Sequence, residues 1–278
     1  MFDSDHSCGS GRFFVRRLRI ELFTGEILPS YPPMFWVAAV TAVVFLGIAK
    51  AGFGGGAGVV GTPLLALTIP VGDAVALLLP LLMLCDVFSI WHYRSSFHRR
   101  SVALLLPGAA VGIAIGTVFF GFFLNNTAIL RTGVGVLALI FVGFQILRTL
   151  AGKVLEARHP HATEGIFWGV VSGFTSTLAH AGGAPVAVYL LPQHLPRQLF
   201  VGTTVVVFSA VNAMKMPPYI WLDLYHVGNL ATVAVLAPLT FVGVRLGILL
   251  NRHFSDLWFG RVVYGILLLT GLKLVFGQ

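Results

Sequence analysis

Eight long apolar stretches constrain the fold of this chain more than any other feature. They lie at residues 34–50, 74–92, 102–123, 128–148, 165–182, 199–217, 227–250 and 257–276. Most approach the roughly 20 residues that an α-helix needs to cross about 30 Å of hydrocarbon. Because an open strand would leave backbone groups unpaired in lipid, each stretch is predicted to be a helix. The predicted fold class is therefore an all-α membrane protein with about eight transmembrane helices.

The composition excludes the main alternatives to a membrane protein. Only 10% of the 278 residues are charged and 57% are hydrophobic, whereas a soluble domain carries about 25% charged residues. Disorder requires the opposite balance of low hydrophobicity and high charge. The net charge of +8 comes mostly from residues in short loops, so it bears on topology first. We therefore expect membrane lipid as a partner and no nucleic acid.

The distribution of Lys and Arg predicts an orientation. If all eight stretches cross, twelve basic residues lie on the side of the two termini and four on the other side. The positive-inside rule then places both termini in the cytoplasm of a multi-pass protein of the inner (plasma) membrane. Residues 1–33 form a basic N-terminal segment without a cleaved signal peptide. Residues 12–23 form either an amphipathic helix on the inner leaflet or a basic flank that sets the orientation.

The chain repeats itself at a nearly constant spacing. Residues 47–63 align with residues 169–185 at an offset of 122. Further matches follow in the same order with small gaps, and one of them pairs Asp86 with Asn212 at an offset of 126. These matches predict two homologous four-helix halves, 34–150 and 165–278, joined by a cytoplasmic linker, 151–164. Four crossings per half would make the repeats parallel. If the first segment of each half fails to cross, the halves are inverted instead.

The first helix of each half is predicted to break at a glycine-rich segment. Residues 50–63 read KAGFGGGAGVVGTP, and residues 178–185 read LAHAGGAP at the matching place. Irregular backbone at membrane depth must be buried in protein or line a wet cavity, and amide hydrogens freed at a helix start can hold an anion. Paired breaks of this kind point to the site of a transporter. The alternative is close packing of helices through small residues.

Four polar side chains within the apolar stretches are candidates for this site. Asp86 is the carboxylate deep within a span, where a charge needs a cavity or a partner. It could carry a proton, pair with an intramembrane base such as Arg245, or pack as a protonated acid, and Asn212 is its counterpart. Lys215 could contact an anion or extend to the interface as an anchor. His180 lies at the second break and could serve substrate, proton transfer or packing.

The predicted substrate-binding residues are Gly54, Gly55, Gly56, Thr62, His180, Gly182, Gly183, Thr203, Thr204, Asn212 and Lys215, and the predicted coupling residues are Asp86 and His180. A threonine in a helix also commonly bonds its own backbone. The sequence has no nucleophile–base pair, zinc signature or haem motif, and Cys8 and Cys85 lie far apart. We therefore expect no enzyme activity, no cofactor and no metal.

Four motifs together resemble the TauE/SafE family of sulfite and organosulfonate exporters. They are AGFGGGAGVVGTPLLAL (51–67), PGAAVGIAIG (107–116), SGFTSTLAHAGGAPVAVYLL (172–191) and FVGTTVVVFSAVNAMKMPPY (200–219). The resemblance covers residues 36–276 and implies a four-plus-four helix carrier of small sulfur oxyanions or carbon compounds. The sequence departs from the family pattern at His180, where a small residue is common.

The hypothesis from the sequence is a secondary transporter of a small anion such as sulfite, an organosulfonate or a related carboxylate. Export is expected, since an inside-negative potential favours anion exit by about 2.3 kcal/mol per charge per 100 mV. Uptake would need a coupled ion, with Asp86 or His180 as the proton carrier. A membrane scaffold without a solute path and an anion channel are the alternatives, and a homodimer remains open.

Overall fold

The computed structural model describes residues 31–52, 59–93, 95–150, 160–225, 227–253 and 256–277. These ranges contain ten α-helices and no strand. The helices are α1 Pro33–Gly52, α2 Gly61–Leu65, α3 Val71–Tyr93, α4 Arg99–Phe123, α5 Thr127–Leu150, α6 Ala162–Ala179, α7 Gly183–Leu190, α8 Arg197–Trp221, α9 Val227–His253 and α10 Asp256–Phe276. Each of the eight predicted spans overlaps one long helix, and α2 and α7 are additional short helices.

Six of the described helices are long and apolar enough to cross a membrane. These segments are Pro33–Lys50, Val71–Trp91, Arg99–Phe123, Thr127–Leu147, Arg197–Trp221 and Gly228–Gly247. Large apolar side chains also remain on the outside of the bundle, and Phe122, Leu269 and Val118 are 70–80% exposed. A surface of that kind suits lipid, so the chain is an all-helical multi-pass membrane protein.

The starts of α1, α3 and α9 meet at one end of the bundle, which we call the first end. The Tyr31 hydroxyl donates to Asn229 Oδ1 at 3.1 Å, and Asn229 Nδ2 donates to Asp73 Oδ1 at 3.2 Å. Burial raises the pKa of the Tyr31 phenol, and the Asp73 carboxylate raises it further, so Tyr31 remains a donor at neutral pH. Since α1 and α3 start together, the chain between them returns to the end at which α1 began.

Helices α1 and α2, which pack on each other, are the first hairpin, and α6 and α7 form a matching second hairpin at the opposite end, which we call the second end. A Cβ on Gly165, at the start of α6, would lie 3.1 Å from the hydroxyl of Tyr189, near the end of α7. The starts of α4 and α8 lie at this same end, because the His98 amide, just before α4, donates to Thr203 Oγ1 at 2.8 Å. The chain therefore enters and leaves the second hairpin at the second end.

Helices at matching positions of the two sequence repeats consequently run in opposite directions. Helix α3 starts at the first end and α8 at the second, and they cross where Asn212 bonds Asp86. The predicted parallel arrangement, with 34–50 and 165–182 carrying the chain across, is therefore wrong, and the inverted alternative agrees with the contacts. The physical reason is that the chain turns back after each break instead of leaving at the far end.

The helix pairs of the bundle reflect the two sequence repeats: when each helix is replaced by its counterpart in the other repeat, the same set of packed pairs results. Helix α4 packs on α6 and α9 on α1, while α3 packs on α8 and α5 on α10. Glycines bring these backbones together: a Cβ on Gly112 would lie 2.0 Å from Val170 O, and one on Gly47 would lie 2.7 Å from the Gly243 carbonyl carbon. Small residues at such positions allow close helix contact in lipid, and in this packing the end of α1 and the start of α7 line the same cavity.

Candidate anion site between the two hairpins

The second break is built around a histidine in a left-handed conformation. His180 ends α6 with φ of 53°, and the Ala181 amide donates back to Thr175 O at 3.2 Å. Glycine is the usual residue in this cap because it has no Cβ. A histidine there costs of order 1 kcal/mol or more, so its side chain must contribute something that glycine cannot. Gly182 follows, and its carbonyl accepts from Ser172 Oγ at 3.0 Å.

The His180 ring joins the break to α3 and α8. Nε2 lies 3.1 Å from Val75 O, and Nδ1 lies 2.8 Å from Lys215 Nζ. Because a carbonyl oxygen only accepts, Nε2 carries a hydrogen. With Lys215 in its ordinary ammonium form, Nδ1 is then the acceptor, and His180 is the neutral tautomer that the Val75 carbonyl selects.

Lys215 is fully buried, and in its ammonium form all of its hydrogen-bond partners are neutral. Its side chain has 0% exposure, and Nζ also donates to Ser176 Oγ at 2.9 Å and to Ser176 O at 3.3 Å. The three hydrogens of the ammonium are thus satisfied, but its charge is not balanced by any of these contacts. The predicted alternative of an interfacial anchor is wrong, because the amine points into the bundle.

Lys50 and Asp86 form a buried ion pair close to this group. Lys50 Nζ lies 2.5 Å from Asp86 Oδ1 and donates to Leu82 O at 3.1 Å. Asn212 Nδ2 donates to the second carboxylate oxygen at 2.7 Å. The pair joins the end of α1 to α3 and α8. Arg245, the base that we considered as a partner of Asp86, is instead exposed, with its guanidinium 4.9 Å from the Phe241 ring centre.

A small cavity of about 30 Å³ lies between these two groups. It is lined by Leu46, Lys50, Leu82, Ser176, His180, Gly183, Phe208 and Asn212. The first residue of α7 is part of this wall, so the positive end of that helix faces the cavity. About 10–15 Å³ on this measure holds one water, so the cavity has room for about two waters. A four-atom anion would require the site to widen.

The structure brings together only part of the predicted site. His180, Gly183, Asn212, Asp86 and Lys215 lie in the cavity wall or bond directly to it. Gly182 directly precedes Gly183 in the same break. Gly54, Gly55 and Gly56 lie outside the described residues. Thr62 is buried in α2 without a hydrogen-bond partner in the described part of the chain, and it does not line the cavity.

Thr203 and Thr204 lie away from the cavity, near the start of α8. Their hydroxyls donate to Leu199 O at 2.6 Å and to Val201 O at 2.8 Å. At 1.5 Å per residue, Thr204 is about 16 Å along the helix from Lys215. The structure therefore shows the backbone bonding that threonine commonly makes in helices. Their contact with a substrate stays a prediction.

Ser176 is the site residue that the sequence reasoning missed. It lies one turn before His180, on the same face of α6, and both side chains meet Lys215. Ser176 precedes His180 by four residues, which places both side chains on one face of the helix just before the break. This spacing was the signal in the sequence that could have identified Ser176. Lys50 begins the first glycine-rich segment of the sequence, and in the structure it pairs with Asp86.

The fold and this buried polar site are those expected of a multi-pass membrane transporter, and comparison with known proteins agrees. The model of the sulfite exporter TauE/SafE family matches residues 39–274. The chain belongs to this family. It is also 28% identical over 204 residues to the probable inner membrane transporter protein TsaS of Comamonas testosteroni, covering 70% of this chain and 81% of TsaS. No solved structure matches the chain.

Proposed function

We propose that the protein is a secondary transporter that carries a small anion through the cavity between the two hairpins. The observation that carries this proposal is the Lys215 ammonium, which is fully buried and contacts only neutral acceptors. An isolated charge in a low-dielectric interior costs several kcal/mol. A bound anion would remove that cost, and the end of α7 would add to the attraction.

The inverted hairpins support alternating access as the mechanism. The end of α1 at Lys50 and the break at His180 reach the cavity from opposite ends of the bundle, which is the arrangement expected of inverted-repeat transporters with a site near the midplane. The narrow cavity fits an occluded state between an inward-open and an outward-open form. Movement of one hairpin against its partner helix would widen the cavity toward one end at a time.

The description of the family as sulfite exporters supports sulfite as a substrate, and we include organosulfonates and related carboxylates in the proposed class. Export is the proposed direction, because the membrane potential already favours the exit of an anion. If transport is linked to protons, Asp86 and His180 are the groups to carry them. Asp86→Asn would then abolish the pH dependence of flux, whereas an unchanged pH profile would remove Asp86 from coupling.

The scaffold alternative also has one observation in its favour, since it predicts that Asp86 is ion-paired, as it is. It predicts dry helix breaks as well, and the polar lining of the cavity by Ser176, His180 and Asn212 counts against it. An anion channel would require a continuous pore in one conformation, and the cavity is too small for one. We therefore favour the transporter.

The inverted arrangement also changes the proposed orientation. The connections at the second end contain Arg94, Lys153 and Arg158, and Arg252 lies in the last turn of α9, whereas residues 66–70, 124–126 and 222–226 at the first end contain no Lys or Arg. The positive-inside rule, which weighs short loops, then places the second end in the cytoplasm. The first end, where α1 starts and α10 ends, would face outward, despite the arginines of the N-terminal segment. This proposal replaces the cytoplasmic termini expected from eight crossings.

Flux measured in proteoliposomes tests the proposed function. Purified protein would be reconstituted and offered a panel of labelled sulfur oxyanions and small carboxylates. Wild-type protein should move at least one of them, and Lys215→Met should move the same anion much more slowly at a concentration near the wild-type KM. Movement of neutral or cationic solutes alone would contradict the anion proposal. No movement of any solute would favour the scaffold.

A further inference from the structure

With Lys215 in its ammonium form, the described side chains that face the cavity carry together a single unbalanced positive charge. Lys50 and Asp86 neutralise each other at 2.5 Å. Lys215 in its ammonium form and neutral His180 share one N–H···N hydrogen bond and together carry one positive charge. A proton that moved from Lys215 to His180 within that contact would leave this sum unchanged.

The remaining acidic residues with described side chains do not alter this sum. Asp73 bonds Asn229 at the first end, Glu164 bonds the His161 amide at the start of α6, and Asp223 lies exposed after α8. Among the described side chains, Asp86 is therefore the one carboxylate beside the cavity, and Lys50 already neutralises it.

We infer that the site selects anions by valence and binds a monovalent anion in preference to a divalent one of the same size. This inference rests on the proposed function and specifies its substrate class. A single negative charge makes the occupied site neutral, whereas a second one would be buried without a partner. Because such a charge is strongly unfavourable in a protein interior, the wild-type site discriminates against it. Of the two forms of sulfite, the site takes hydrogen sulfite.

The ion pair beside the cavity makes the inference testable, because it can be altered to change the net charge. Asp86→Asn keeps the shape of the side chain and its contact with Asn212, but it leaves Lys50 unbalanced and raises the site charge from one to two. The double variant Lys50→Met/Asp86→Asn removes both charges and returns the site to a single positive charge. Preference for divalent anions should therefore rise in the first variant and fall back in the second.

Methanesulfonate and sulfate are the probes, since they have nearly the same size and tetrahedral shape but charges of one and two at neutral pH. Each would compete, over a concentration series, with a labelled anion that the wild-type protein binds. Methanesulfonate should bind wild-type protein about tenfold or more tightly than sulfate, because a factor of ten requires only about 1.4 kcal/mol. The ratio of the sulfate Kd to the methanesulfonate Kd should fall by about tenfold or more in Asp86→Asn. In the double variant this ratio should return toward the wild-type value.

A matched control separates the site from the general potential of the protein. Arg245→Gln also removes one charge, but from an exposed side chain that packs on Phe241, so the ratio should not change. Equal affinity of wild-type protein for the two probes would overturn the inference, as would a ratio unaffected by Asp86→Asn. If that variant does not fold, the wild-type comparison alone decides. Failure of every anion to bind would instead contradict the proposed function.

Discussion

Substitution of Gly112 by alanine tests the packing that holds the second hairpin in place. Gly112 lies in α4, and a Cβ added there would stand 2.0 Å from Val170 O of α6. Ordinary contact begins near 3.4 Å, so the two helices would have to separate by about 1.4 Å, the difference between these distances. A gap of even 0.5–1 Å forfeits a quarter to a half of the dispersion energy of the atoms that it separates.

The expected cost lies near the upper end of the range for overpacking, about 3 kcal/mol, because the obstacle is backbone and cannot rotate away. At roughly 2–4 °C per kcal/mol, the melting temperature should fall by roughly 6–12 °C. Alanine also raises helix propensity by about 1 kcal/mol, so the reference must be another glycine-to-alanine variant. Gly133 in α5 serves, since a Cβ there meets nothing within 4 Å.

The assay is thermal unfolding of the purified proteins in one detergent, with size-exclusion profiles as a check on folding. Gly133→Ala should melt at or slightly above the wild-type temperature, and Gly112→Ala well below it. Equal melting temperatures for the two variants would refute the reasoning. The contact between α4 and α6 would then be looser than the structure has it, and the position of His180 would not depend on this packing.

Three further predictions concern the site and the topology. Lys215→Met should raise the apparent KM or Kd for a transported anion at least about tenfold, because it removes the unbalanced charge. The control variant Arg245→Gln should leave that constant unchanged. Equal effects of the two variants in flux assays would show that Lys215 is not part of the site. Asp86→Leu should lower the free energy of unfolding by about 3–5 kcal/mol, because it leaves Lys50 as a buried cation without its partner. The double variant Lys50→Met/Asp86→Leu should recover most of that loss. No recovery in thermal melts would mean that the two charges do not interact. If the C-terminus lies outside the cytoplasm, alkaline phosphatase fused to it should be active and a fluorescent protein fused to it should be dark. The opposite pattern would support the orientation expected from eight crossings, with both termini in the cytoplasm.

The long helices could be predicted from sequence because their requirements are local. A segment in lipid must satisfy its own backbone hydrogen bonds, so length and hydropathy identified each helix with little reference to the rest of the chain. The break at His180 was predictable for the same reason. Family membership also followed from sequence, since the residues of the two glycine-rich breaks and of α8 are contiguous motifs.

The direction of the chain after each break required the tertiary structure. Residues 34–70 are too many for one crossing and too few for two, and hydropathy does not distinguish a hairpin from a crossing. The bonds of Asn229 to Tyr31 and to Asp73 decide it, because together they put the starts of α1 and α3 at the same end. These two contacts reverse the relation between the repeats and the proposed orientation of the termini.

The sequence by itself determined that this chain enters a membrane as helices, that two of its helical segments break, and that a few charged side chains lie among the apolar ones. Only the tertiary structure decided which charges neutralise each other. Lys50 and Asp86 are 36 positions apart in the chain, and Lys215 and His180 are 35 apart, so their pairing depends on how the helices pack. Because the field in a cavity depends on distances between side chains, the excess positive charge at the site became visible only once the helices were in place.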